Sequence, residues 1–273
     1  VIVVKYLFYR LIIFLDTANE DDTNYNIAWY MANNFKKVAK MGISELAKAC
    51  YVSPATISRF CRTLGYENFA HLKQECALFQ MNLTRSSNLA SIPEKMIYND
   101  PKMATADYAS RVAAEIMNLS SYLNWQEIDA SLRLIHDMPT VAFFGTQFSH
   151  SAALHFQTDL MMLDKFSIAY MDADRQLDCA KKLDENSVAV IISVNGNYLQ
   201  TGAKALSYIK RNGAKTVLIT QNPTISLADE VDHLIILGDH RQMKIGKHTL
   251  LTCVELMSCR YFALYSHENK QEP

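Results

Sequence analysis

The sequence has no Cys-x-x-Cys pair, and no histidine cluster accompanies its six cysteines, Cys50, Cys61, Cys76, Cys179, Cys253 and Cys259. That excludes the common zinc frameworks, and no metal or cofactor is expected. The thiols read as small buried hydrophobes or free cysteines of a reducing, cytoplasmic compartment. The chain also lacks a charge imbalance: 27 Lys and Arg against 28 Asp and Glu give −1, which by itself favours no partner. An uninterrupted apolar span is missing too. The stretch VIVVKYLFYRLIIFLD is broken by Lys5 and Arg10 and ended by Asp16, and it is shorter than the ~20 residues that cross a bilayer. It has no basic leader and no small-residue cleavage site, so a buried helix or dimer contact is expected in place of a signal peptide. No internal repeat is visible. Hydrophobic residues at 49% and charged residues at 20% exclude a disordered chain. A length of 273 residues suits one large domain or two ordinary ones.

What is present is unevenly distributed. Between Met31 and Glu75 there are seven Lys or Arg and three Glu. A locally basic segment in a neutral chain points to an anionic partner. Residues 1–80 read as short helices. Residues 81–105 hold Ser and Asn clusters, Pro93 and Pro101 without sustained periodicity, and read as a linker. From 106 to 273, short β-branched runs alternate with helical patterns: Val141–Phe144, SIAYM at 167–171, SVAVIIS, KTVLIT and DHLIIL. This alternation predicts an α/β domain with a mainly parallel sheet.

The segment SPATISRFCRTLGY, residues 53–66, is the most informative. Ser53 suits an N-cap and Pro54 a first helical position. At helical spacing Ile57, Phe60, Cys61 and Leu64 form one stripe. Ala55, Arg59 and Arg62 lie opposite it, flanked by Thr56, Ser58 and Thr63, and Gly65 can close the helix in a left-handed conformation. The preceding GISELAKAC predicts a short helix that Gly42 starts, with Glu45 three residues on. Two short helices joined by a tight turn, the second presenting small polar residues and arginines, are what a helix-turn-helix requires, because the leading side chains must enter a groove ~12 Å wide. Ser53, Thr56 and Ser58 suit phosphates or base edges, and Arg59 and Arg62 suit guanine edges or backbone. Lys36, Lys37, Lys40 and Lys48 add sequence-independent attraction.

The run GISELAKACYVSPATISRFCRTLGYENFAHLKQ resembles the N-terminal domain of the RpiR-type transcriptional regulators. Ile43, Glu45, Leu46, Ala47, Val52, Ser53, Ala55, Thr56, Ile57, Arg59, Phe60, Cys61, Leu64, Gly65, Tyr66, Phe69, Leu72 and Lys73 match that family's pattern, with Gly42 in place of its capping serine. The resemblance implies DNA contacts from Lys48, Ser53, Ala55, Thr56, Ser58, Arg59, Arg62 and Lys73. Such proteins join this domain to a sugar isomerase (SIS) domain. The chain from about Ile128 to Gly238 resembles one in strand order and spacing. The implied fold is an all-α bundle followed by a three-layer α/β domain with a five-stranded parallel sheet, which senses a phosphosugar and dimerises.

Loops at the carboxyl ends of parallel strands that lead into helices offer backbone N–H groups to phosphate. Two qualify here: Gly145 to Ser151, with Gly145, Thr146, Gln147 and Ser149, and Ser193 to Thr201, with Ser193, Asn195, Gly196 and Asn197. Both depart from the SIS pattern. Gln147 stands where a second glycine belongs, Asn195 replaces a serine, and Tyr198 replaces a threonine. Gln147 and Tyr198 are expected to add bulk where a phosphate sits. His150 and His155 lie near the first loop as secondary ligand candidates. No residue constellation identifies a general base for isomerisation. The expectation is a homodimeric or homotetrameric regulator of carbohydrate metabolism that binds operator DNA and is not an enzyme. The alternatives are a phosphosugar isomerase with an accessory helical domain and a regulator whose SIS domain has lost its ligand.

Overall fold

The computed structural model describes residues 4–85, 92–196, 198–199, 202–222, 224, 227–238 and 246–266. The chain divides into two compact units, Val1–Ala90 and Ser91–Pro273.

The first unit is helical: α1 Val4–Thr17, α2 Thr23–Asn33, α3 Phe35–Val38, α4 Ile43–Ala49, α5 Pro54–Thr63 and α6 Phe69–Arg85. One apolar cluster holds it together. Leu7 and Leu11 of α1 meet Ile27 and Met31 of α2, Leu46 of α4, Ile57 and Phe60 of α5, and Leu72 and Cys76 of α6. The apolar start of the chain thus supplies a buried helical stripe. Phe14 packs edge-on against Phe60 with ring centroids 5.5 Å apart.

The second unit opens with α7 Glu94–Asn99, α8 Pro101–Tyr122 and α9 Trp125–Asp137. Residues 81–105 are therefore largely helical, not an irregular linker; of these, 86–91 lie outside the described residues. The two prolines start helices here. Pro93 is the N-cap residue of α7. Pro101 is the first residue of α8, behind Asp100, whose carboxylate accepts the Met103 N–H at 2.8 Å. A first-turn position has no N–H bond to lose, so proline fits there.

The sheet follows: β1 Thr140–Phe144, β2 Ser187–Ile192, β3 Lys215–Thr220 and β4 His233–Ile236, all parallel in the order β1-β2-β3-β4. Helices α10 Phe148–Met162, α11 Ala173–Lys182, α12 Ala203–Arg211 and α13 Gly246–Tyr265 belong to the same unit. Alternate strand residues face opposite layers, as the two-residue period requires. Val141, Phe143, Val188, Val190, Val217 and Ile219 join a cluster with α9, α10 and α13. Ala142, Phe144, Ala189, Ile191 and Leu218 join another with α11 and α12. Burial on both faces explains why these strands read as continuous apolar runs.

The five strands expected are four among the described residues. The segment 167–171 makes only the bridge Ala142↔Ile168, with Ile168 N donating to Val141 O at 2.8 Å and Phe143 N to Ile168 O at 2.7 Å. The carbonyls of Ser167, Ala169 and Tyr170 are taken by side chains. Gln157 Nε2 donates to Ser167 O (2.6 Å), His150 Nε2 to Ala169 O (3.1 Å) and Gln176 Nε2 to Tyr170 O (2.7 Å). Asp172 then caps α11 by accepting from Asp174 N and Arg175 N.

Candidate nucleic-acid interface and ligand loops

Helix α4 begins at Gly42, whose N–H donates to the Glu45 carboxylate at 2.6 Å. Gly42 has no side chain to return the bond, so only half of a capping box forms. At its other end Tyr51 N donates to Lys48 O (3.2 Å) and Val52 N to Ala47 O (2.9 Å). This is the paired-bond arrangement that closes a helix through a left-handed residue, and Tyr51 has φ +56°. Ser53 follows and accepts the Thr56 N–H at 3.1 Å, as its sequence position suggested. Helix α5 ends with the same closure. Gly65 N donates to Arg62 O (2.8 Å) and Tyr66 N to Cys61 O (2.9 Å), with Gly65 at φ +79°.

The two faces of α5 separate as the spacing predicted. Ile57, Phe60, Cys61 and Leu64 are buried. Ser53, Ala55, Arg59 and Arg62 are exposed, and Thr56 and Ser58 are partly so. A polar chain runs along the open face: Ser53 Oγ lies 2.9 Å from Thr56 Oγ1, and Arg59 Nη2 donates to the same Thr56 oxygen at 3.3 Å. Lys36, Lys37, Lys40 and Lys48 are exposed, while Lys73 is half-buried on α6.

A buried polar group at the end of α5 was not legible in the sequence. The Arg10 guanidinium donates to Leu64 O and lies 5.8 Å from the Tyr66 ring centroid. The Tyr66 hydroxyl donates to Glu75 Oε2 at 2.9 Å. Glu75 is buried, and burial pushes its carboxyl up, against the lowering effects of Tyr66, His71 and Arg10. Arg10 thus joins α1 to the carboxyl end of α5.

In the second unit the two expected loops lie side by side. Phe144 pairs with Ile191 at the ends of β1 and β2. A Cβ on buried Gly145 would stand 3.1 Å from both Ile192 O and Ser149 Cβ, so glycine lets the loops approach. Gln147 is exposed and sits at φ +52°, ψ −122°, before the first turn of α10. Thr146 O accepts from Ser149 N at 3.1 Å, and Ser149 and Thr146 are partly exposed. In the second loop Ser193 is buried and its Oγ accepts the Tyr198 N–H at 3.1 Å. Asn195 is exposed and Gly196 has φ +81°. Asn197 lies outside the described residues.

Several expectations are corrected by this geometry. Tyr198 is 3% exposed, inside the cluster formed with α11 and α12, and its ring abuts Gly202. Its bulk is therefore in the core and not in the loop mouth. His150 is committed to Ala169 O. His155 faces Glu255 Oε2 at 3.4 Å and Asp159 Oδ2 at 3.8 Å on the surface between α10 and α13. Each histidine thus has a partner outside the loop.

Residues 17–78 match the helix-turn-helix domain of the rpiR family and residues 134–264 match the SIS domain. An uncharacterized HTH-type transcriptional regulator of Caldanaerobacter subterraneus subsp. tengcongensis is 27% identical over 222 residues, 81% of this chain and 77% of that protein. The HTH-type transcriptional regulator HexR of Pseudomonas aeruginosa is 25% identical over 207 residues, 76% of this chain and 70% of its own. Among solved structures, the Vibrio vulnificus NanR protein complexed with ManNAc-6P aligns with TM-score 0.55 at 14% identity, covering 97% of this chain and 94% of that one. A putative sugar-phosphate isomerase of Listeria monocytogenes aligns with TM-score 0.51 at 15% identity, covering 62% of this chain and 95% of that one. The helix-turn-helix and the two strand-end loops each lie inside a matching domain, and the chain thus joins a helix-turn-helix domain of the rpiR family to an SIS domain.

Proposed function

We infer that this protein is a DNA-binding transcriptional regulator of carbohydrate metabolism, acting in the cytoplasm, with α5 as its recognition helix. The observation that carries this reading is the division of α5. One side is sealed into the bundle, while Ser53, Thr56 and Arg59 form a bonded polar chain on the open side, beside Arg62. Small leading residues admit the helix to the major groove, and the arginines read guanine edges or hold phosphates. Lys48 adds charge beside it, and half-buried Lys73 adds a contact from α6.

The effector is a phosphorylated sugar or related metabolite, held at Gly145, Thr146, Gln147, Ser149, Ser193, Asn195, Gly196 and Asn197. The adjacency of the two loops and the burial of Tyr198 away from them support a retained site. The NanR likeness makes N-acetylmannosamine-6-phosphate one member of the panel to test. Two copies of the chain are proposed to act together, since one short helix reads few bases and two-fold symmetry doubles the site. Regulation, not isomerisation, is the proposed role. The regulators among its relatives favour it, and His150 and His233 are engaged with Ala169 O and Glu127.

The test is a gel shift on duplexes selected from a random library by the wild-type chain. R59A/R62A should keep its fold by circular dichroism and lose specific binding. Full affinity and selectivity in that variant would end the reading. Turnover of fructose-6-phosphate by the wild-type chain would establish the isomerase reading instead.

A further inference from the structure

The two helices of the DNA-reading pair end in the same hydrogen-bonded closure, yet the chain builds it from different residues. After α5 the left-handed position is Gly65, at φ +79°; after α4 it is Tyr51, at φ +56°. An aromatic residue is a poor occupant of that conformation, because its Cβ crowds the backbone. The two closing bonds require a left-handed residue here, but nothing that a tyrosine brings in place of glycine offsets its cost. The Tyr51 side chain is 96% exposed, and among the described residues it makes no hydrogen bond, ion pair or ring contact. A strained residue with no internal partner points outward for its reason to exist.

Its position supplies one. Tyr51 lies in the turn between α4 and α5, two residues before the cap Ser53, with exposed Lys48 one turn earlier and exposed Ala55 just inside α5. When the second helix of such a pair enters a groove, the turn that leads into it passes the phosphate backbone at the groove's rim. We propose that Tyr51 is a DNA-contacting residue whose phenolic hydroxyl donates a hydrogen bond to a backbone phosphate beside the α5 site. This rests on the reading of α4 and α5 as the DNA-binding pair. A phosphate contact positions the protein without reading sequence. A neutral donor also displaces no counterion, so it leaves the salt dependence of binding unaltered.

The experiment compares Tyr51→Gly, Tyr51→Phe and R59A/R62A with the wild-type full-length chain. The duplexes are one selected by the wild-type chain and one of scrambled sequence, each titrated across salt concentrations. Tyr51→Gly should melt at a higher temperature than wild type, because strain is removed. It should bind both duplexes about three- to ten-fold more weakly, with an unchanged salt slope. Tyr51→Phe keeps the strain and should melt as wild type does, with the same loss of affinity. Wild-type affinity in either variant overturns the proposal, as does a loss confined to the selected duplex. A lower melting temperature together with weaker binding by Tyr51→Gly makes the residue structural and overturns it as well. Full binding by R59A/R62A removes the recognition-helix reading itself, and the role of Tyr51 with it.

Discussion

Gly65 answers to two constraints. Its φ of +79° suits glycine, and a Cβ there would overlap the Arg10 guanidinium. Gly65→Ala should therefore cost about 1–2 kcal/mol from the backbone and more as Arg10 is displaced, read as a lower urea midpoint. Gln147 presents the opposite case. It occupies φ +52°, ψ −122°, a glycine-like conformation, without being glycine. Relief of roughly 1–3 kcal/mol of strain exceeds the roughly 0.5–1 kcal/mol of unfolded freedom that glycine adds. Gln147→Gly should thus raise the melting temperature in scanning calorimetry. Glu75 adds a pH dependence. Burial holds its carboxyl above the ordinary value of 4.5, so the folded state binds this proton more tightly than the unfolded state does. The stability it contributes is fully present below 4.5 and is lost as pH rises through the raised folded value. Glu75→Gln still accepts the Tyr66 hydroxyl. It should match wild type in acid and exceed it in denaturation midpoint at neutral pH.

At the scale of elements, what the sequence discloses is set by the range of the interaction. The caps of α5, Ser53 and Gly65, depend on neighbours within a turn or two, and both stand where the residue pattern put them. The fifth strand is cut short where Gln176 reaches from α11 to Tyr170 O, the next carbonyl on the β1 side after Ile168, and no local pattern at 167–171 announces that competition. Pro93 and Pro101 show a different difficulty. Proline both ends and starts helices, and only the Asp100 cap, its carboxylate 2.8 Å from Met103 N, marks Pro101 as a start. That cap is testable: Asp100→Ala should lower stability by about 1 kcal/mol, measured by chemical denaturation, whereas Pro101→Ala should be nearly silent. The loop after β2 was legible as a site candidate from its place at a strand end. The direction of Tyr198 was not, because it is fixed by its fit against Gly202 in the core.

For the whole molecule, the near-zero net charge conceals a division of labour that salt can expose. The basic excess between residues 31 and 75 belongs to the helical unit. Within it, Lys36, Lys37 and Lys40 are exposed on and just after α3, in sequence ahead of the helix pair, whereas Arg59 and Arg62 are on α5. If the lysines act only on phosphates, neutralising them removes counterion release without altering base choice. Lys36→Gln, Lys37→Gln and Lys40→Gln together should weaken binding to selected and scrambled duplexes by the same factor. The combination should also flatten the plot of log affinity against log salt by up to about 0.9 per lost contact. Arg59→Ala should instead narrow the gap between the two duplexes. Filter binding from low to physiological salt distinguishes the outcomes, and lysine variants that lose selectivity while keeping the wild-type slope would place base reading on the wrong helix.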